Sequence, residues 1–184
     1  MNLVAKATIL DAAETARVLR RMAGEIVEAQ RGVEGLIIVG IRSRGVPMAE
    51  AICTEIERLE GKRPPMGTLD ITLYRDDLSL IAPKPVVRES HLPEDIEGKV
   101  LVLCDDVLYT GRTARAALDA LVDFGRPRAI RLAVLVDRGW RELPIHADFV
   151  GRKVPTRANE VIKVSFEAVD GETSVQILER QAEG

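Results

Sequence analysis

The chain predicts an α/β fold, a mostly parallel sheet flanked by helices, and three stretches carry that prediction. Val100–Leu101–Val102–Leu103–Cys104 is an apolar run without polar alternation, the pattern of a strand buried on both faces. Ala114 to Asp123 follows with apolar residues at helical spacing and stops before Gly125 and Pro127. Ile130 to Val136 is a second apolar run. Strand, turn, helix and strand form a βαβ unit with a right-handed crossover, and ligands of such sheets bind at the strands' carboxyl ends.

The other elements follow in order. A first helix begins after Asp11, with Glu14 completing a capping box, and ends near Arg31–Gly32. Leu36 to Gly40 reads as a buried strand. Pro47 suits the first turn of a helix that reaches about Glu60 and stops at Gly61. Gly67 to Leu73 is another strand, and Asp70 breaks its apolar pattern to face a site or a partner. Tyr74 to Gly98 is long and polar and holds Pro83, Pro85 and Pro93, which predicts a mobile lid loop. Val161 to Glu167 and Ser174 to Leu178 flank Asp170–Gly171, the signal of a small C-terminal β hairpin. No repeat or linker interrupts residues 1–184, so one domain is expected.

Bulk properties narrow the class. The chain is 46% hydrophobic and 30% charged, with no run of ~20 apolar residues to span a membrane and no signal-peptide core. Its two cysteines, Cys53 and Cys104, fall in an expected helix and an expected strand without metal-like spacing. A cytoplasmic setting is therefore expected. The net charge of −3 gives no overall field for nucleic acid. Locally, Arg126, Arg128, Arg131, Arg138, Arg141, Arg152, Lys153 and Arg157 outnumber Asp137, Glu142 and Asp148.

The chemistry sits where the apolar run ends. Asp105 and Asp106 are followed by Val107, Leu108, Tyr109, Thr110, Gly111, Arg112 and Thr113. Backbone N–H groups from Leu108 to Thr113, with the Thr110 and Thr113 hydroxyls, point out of a helix N-terminus and make a phosphate cradle. Gly111 allows close approach or positive φ, and Arg112 can add a charged clamp. Two carboxylates beside a phosphate cradle suit a ligand that also carries hydroxyls or a cation, such as a phosphorylated sugar with Mg²⁺. Taken alone, the pattern equally fits a plain helix N-cap with two carboxylates at a strand end. It is neither a dinucleotide nor a Walker-type motif. A second anion-suited turn, Gly40–Ile41–Arg42–Ser43–Arg44–Gly45, joins another strand to another helix.

Residues Cys104 to Thr113 resemble the phosphoribosyl-pyrophosphate (PRPP) signature of type I phosphoribosyltransferases. Leu69 to Leu78, Ala116 to Leu121, Leu132 to Gly139 and Arg141 to Ile145 narrow the resemblance to bacterial pyrimidine-operon regulators that are also uracil phosphoribosyltransferases, the PyrR family. It runs from about Ile9 to Val169. The resemblance implies a type I phosphoribosyltransferase-like fold and transfer of a phosphoribosyl group from PRPP to uracil, giving UMP and pyrophosphate with Mg²⁺ as cofactor. The residues it implies are Asp105 and Asp106 for catalysis and, through ligand or water, the metal. Arg75 in the lid could reach the pyrophosphate or pair with Asp76 or Asp77. Ser43 and Arg44 meet the diphosphate, 107–113 the 5′-phosphate, and Arg138 and Val161 lie near the base.

The resemblance also implies UMP-dependent binding of the pyrimidine-operon leader RNA, and a dimer or larger homo-oligomer. Arg17, Arg20, Arg141, His146 and Lys153 are the residues assigned to RNA. Here the chain departs from the family: Trp140 replaces a histidine and His146 an arginine, while Arg20, Gly24 and Ala29 change the first helix. Three readings remain open: a dual regulator and enzyme, a phosphoribosyltransferase without RNA binding, and a regulator that keeps the PRPP site as a nucleotide sensor.

Overall fold

Asp11 has an acceptor side chain where a helix needs one. Its Oδ1 accepts the Glu14 N–H at 2.7 Å while Glu14 Oε2 accepts the Asp11 N–H at 3.0 Å, a reciprocal cap on α1 (Ala12–Gln30). The computed structural model describes residues 2–76, 89–93 and 95–181. Before α1 lies β1 (Asn2–Leu10); after it come β2 (Leu36–Ile41), α2 (Gly45–Glu60), β3 (Met66–Leu69), β4 (Val100–Leu108), α3 (Arg112–Val122), β5 (Ala129–Asp137), β6 (Phe149–Lys153), β7 (Glu160–Ser165), the one-turn α4 (Glu167–Asp170) and β8 (Ser174–Gln181).

Five strands form a parallel sheet in the order β3-β2-β4-β5-β6. The central strand β4 is buried on both faces, which explains its unbroken apolar run. Val102 and Cys104 pack toward α1 and α2 with Met22, Ile26, Ile52 and Ile56. Leu101 and Leu103 pack the other way, with Ala117 and Leu121 of α3. The second sheet is antiparallel, in the order β1-β8-β7.

Four expectations shift. The strand predicted over 67–73 ends at Leu69, because the Asp70 carboxylate accepts the Thr72 N–H at 2.8 Å and turns the chain into a 3₁₀ turn at Thr72–Tyr74. β4 runs past Cys104 to Leu108, since β5 goes on pairing with it as far as Leu108↔Asp137. The C-terminal hairpin is present, yet α4 fills its connection in place of a tight Asp-Gly turn, and β1 adds a third strand. β1 and β6 were not expected: β1 is an almost wholly exposed edge strand, and β6 is a short run whose last two residues are Arg152 and Lys153. Most of the predicted lid, including Asp77, Pro83 and Pro85, lies outside the described residues.

Candidate active site

β4 carries both carboxylates to the carboxyl edge of the sheet, half-buried. Asp105 Oδ1 accepts the Asp106 N–H at 3.0 Å, and Asp106 Oδ1 accepts the Val107 N–H at 2.9 Å. Burial, and then the charge of Asp106, push the Asp105 carboxyl well above the ordinary range, while Arg75 at the base of the lid pulls it down. Burial also lifts Asp106, against the Asp105 hydrogen bond, the Val107 N–H and the charge of Arg44. The pair is thus costly to ionise without a bound cation or donor.

Gly111 caps α3 at φ 95°, a left-handed conformation that a side chain would strain. It offers no capping oxygen, so apart from the Arg112 N–H, which the Thr110 hydroxyl accepts at 3.3 Å, the first turn of α3 keeps its amides for a ligand. The Thr110 carbonyl accepts N–H groups from Glu142 at 2.9 Å and Leu143 at 3.1 Å, which fixes the turn against the segment after β5. A pocket of about 240 Å³ lies over it, lined by Arg75, Asp76, Asp105, Val107 and every residue from Leu108 to Thr113. The cradle expected from the sequence is therefore assembled, with one carboxylate of the pair on its wall.

The second turn comes alongside through a close backbone approach. A Cβ on Gly45 would lie 2.2 Å from the Cys104 carbonyl oxygen, so only glycine lets the start of α2 touch the end of β4. Ser43 is exposed just before this contact. Arg44 donates through Nε at 3.1 Å and Nη2 at 2.7 Å to the Asp170 carboxylate, and its charge also acts on Asp106. Arg42 reaches the Thr68 hydroxyl at 3.3 Å and the Glu89 carbonyl at 3.4 Å.

The remaining expected positions are more scattered. Arg138 is only 6% exposed. Its guanidinium stacks on Tyr109 at 4.1 Å and donates to the Thr156 hydroxyl and the Glu160 carbonyl, so the side chain braces the first sheet against β7. Val161 is the next residue of β7, half-buried. Arg112 lies on the pocket wall, where its Nε donates to Glu142 at 2.8 Å and its Nη1 to Asp76 at 2.6 Å. Arg115 donates to the same Asp76 carboxylate.

Of the positions assigned to RNA, Arg17, Arg20, His146 and Lys153 are exposed. Arg20 pairs with Glu55 across α1 and α2. Arg141 forks both oxygens of Asp137 at 2.8 Å and donates to the Tyr109 and Ile145 carbonyls. Trp140, at φ 62°, donates its indole N–H to the Thr156 carbonyl at 2.8 Å. Asp76, Glu142 and Thr156 are partners of these groups that no local pattern reveals, because each pairing spans 16 or more residues.

Among the described residues no group of three or more His, Cys, Asp and Glu could hold a metal. Two half-buried carboxylates with raised pKa values suit a hard divalent cation whose other ligands are water and substrate oxygens, the usual manner of Mg²⁺. No helix of the described residues is long and apolar enough to cross a membrane.

Comparison with known proteins agrees with this geometry. The family model described as "Phosphoribosyl transferase domain" matches residues 6–170. "Bifunctional protein PyrR" of Thermus aquaticus is 61% identical over 96% of this chain and 97% of its own length. The protein of the same name from Deinococcus radiodurans is 53% identical over 95% of each chain. The crystal structure of the hypoxanthine phosphoribosyltransferase of Trypanosoma cruzi superposes with a TM-score of 0.72 at 15% identity, covering 96% of this chain and 98% of that one, which speaks for the fold. With the carboxylate pair, the uncapped helix and near full-length identity all in agreement, the chain belongs to the phosphoribosyl transferase domain family and, within it, to the PyrR proteins.

Proposed function

We propose that this protein transfers the phosphoribosyl group of PRPP to N1 of uracil, yielding UMP and pyrophosphate, and binds pyrimidine-operon leader RNA when UMP is present. The observation that carries the enzymatic half is the half-buried pair Asp105–Asp106, with Asp105 on the wall of a pocket floored by a helix N-terminus whose cap residue has no capping side chain.

In this reading the first-turn amides of α3, with Thr110 and Thr113, hold the 5′-phosphate. Ser43 and Arg44 hold the diphosphate, and the ribose lies between them over Asp105 and Asp106. Positive charge developing at the anomeric carbon is offset by the carboxylates, and charge on the departing diphosphate by Arg44 and Arg75. Mg²⁺, held by Asp105 and Asp106 through water or the sugar hydroxyls, would neutralise part of the leaving group's charge. The lid excludes water that would hydrolyse PRPP. Tyr109, stacked on Arg138, and Val161 border the place left for uracil. No covalent nucleophile is required.

An assay of purified protein with PRPP, uracil and Mg²⁺ tests the reaction. D105N and D106N should each cut kcat/KM by roughly 10²–10³ with the fold intact; unchanged turnover would end the assigned role.

The exposed Arg17, Arg20, His146 and Lys153 are available to RNA phosphates. Arg141 is committed to Asp137 and three carbonyls, which favours a second reading, a phosphoribosyltransferase without RNA regulation. Titrating leader RNA with and without UMP separates the two: UMP-enhanced binding supports the first, binding no better than to unrelated RNA the second. A cytoplasmic homo-oligomer is part of the first reading, and sedimentation of the purified chain tests its assembly.

A further inference from the structure

The loop between β7 and β8 reaches back to the diphosphate turn through one side chain. Asp170 ends α4, 126 residues from Arg44 in the chain, and its carboxylate is fixed from its own side. Oδ2 accepts the Phe166 N–H at 2.9 Å, and Phe166 is buried in the main core. The same oxygen accepts Arg44 Nε at 3.1 Å and Oδ1 accepts Nη2 at 2.7 Å, the two-pronged arrangement that fixes a guanidinium in plane as well as in place. The Asp170 side chain is 17% exposed and that of Arg44 36%, so the fork is partly screened from water. Arg44 immediately precedes the Gly45 contact with β4 and acts electrostatically on Asp106. Its guanidinium is therefore held by the carboxylate that ends α4, within electrostatic reach of Asp106 on the central strand, with N–H groups beyond the two donated to Asp170.

We propose that Asp170 is a positioning residue for Arg44: it presets the guanidinium to receive the diphosphate of PRPP, so that the antiparallel sheet supplies a working part of the site. This rests on Arg44 as a diphosphate ligand. A free arginine would have to give up side-chain freedom when the substrate binds; the fork removes that freedom in advance, so ordering is lost from the binding step. The effect belongs to PRPP and not to uracil, because the proposed reading gives Arg44 the diphosphate, which uracil lacks.

The discriminating variant is Asp170→Asn. Its Oδ1 can still accept the Phe166 N–H and Arg44 Nε, while its amide NH2 opposes Arg44 Nη2 and breaks the two-pronged fork. The expected result is a KM for PRPP raised on the order of tenfold, with the KM for uracil unmoved and the melting temperature within a degree or two of the parent. Asp170→Glu, which restores the charge, should recover part of the loss. In an Arg44→Ala background Asp170→Asn should add nothing further. A fall in melting temperature with the KM for PRPP unchanged makes Asp170 merely structural and overturns the proposal. A lower KM for PRPP overturns it as well, since Asp170 would then be withholding Arg44 from the substrate. If Arg44→Ala itself leaves the KM for PRPP unchanged while Asp170→Asn raises it, the diphosphate assignment of Arg44 fails, and with it the role given to Asp170.

Discussion

Asp105 and Asp106 hold a cost in the free protein that a bound cation and ribose hydroxyls would remove. Both folded-state pKa values lie above the ordinary carboxylate range, so each contributes stability at low pH that is lost as pH rises through its folded value. At neutral pH the free protein carries the penalty. D105N should therefore raise the melting temperature by about 2–4 °C for each ~1 kcal/mol relieved, while lowering activity. Scanning calorimetry from pH 4 to 8 checks the sign: the gap between D105N and parent should widen as pH rises. Gly45 is the opposite case, a residue whose value lies in what it lacks. G45A drives a methyl into the Cys104 carbonyl and should cost about 1–3 kcal/mol in denaturant unfolding, with a loss of turnover because α2 must back away from β4.

At the level of elements, residues 74–76, at the start of the proposed lid, are tied to α3, the helix proposed to bind phosphate. Asp76 accepts from both Arg112 and Arg115 of α3, and the Tyr74 hydroxyl donates to Asp123 just beyond that helix. Burial of α3 against the sheet leaves these contacts on its outer surface, where salt screens them. An anion entering the cradle competes with Asp76 for Arg112. D76N should accordingly strengthen binding of UMP by roughly two- to fivefold at low salt, a gain that calorimetric titration at 0.5 M salt should see shrink. Equal affinity at both salt concentrations would show that Asp76 does not compete.

Across the molecule, two sheets meet at the proposed site, and Arg138 links them. It stacks on Tyr109 beside the cradle and donates to the Glu160 carbonyl at the start of β7, buried throughout. R138M keeps much of the apolar stem yet leaves the Glu160 carbonyl and Thr156 without their donor, and should lower stability by about 2–3 kcal/mol with weaker UMP binding. A stable variant with weak binding would instead assign Arg138 to the ligand alone. Within the antiparallel sheet Glu160 ties β7 to β1: its side chain accepts from Lys6 of β1 and from the Arg157 N–H at 2.7 Å.

The sequence by itself determined the βαβ unit, the capped first helix and the position of the strand-to-helix turn proposed as the phosphate cradle. Each is written in neighbouring residues: an unbroken apolar run is stable only as a central parallel strand, and Asp11 with Glu14 closes its own cap. The family resemblance rested on the same short stretches. Tertiary structure alone decided what those residues face. Asp170 read as a hairpin turn and became the partner of Arg44; Arg138 read as a position near the base, and the fold adds its buried contacts with Tyr109 and the Glu160 carbonyl. β1 was invisible because an exposed edge strand buries too little apolar surface to leave a periodic signal, and its pairing with β8 joins the two ends of the chain. Local pattern records which backbone a segment prefers, while contacts across a hundred residues depend on how the layers close, and no short window of sequence contains that.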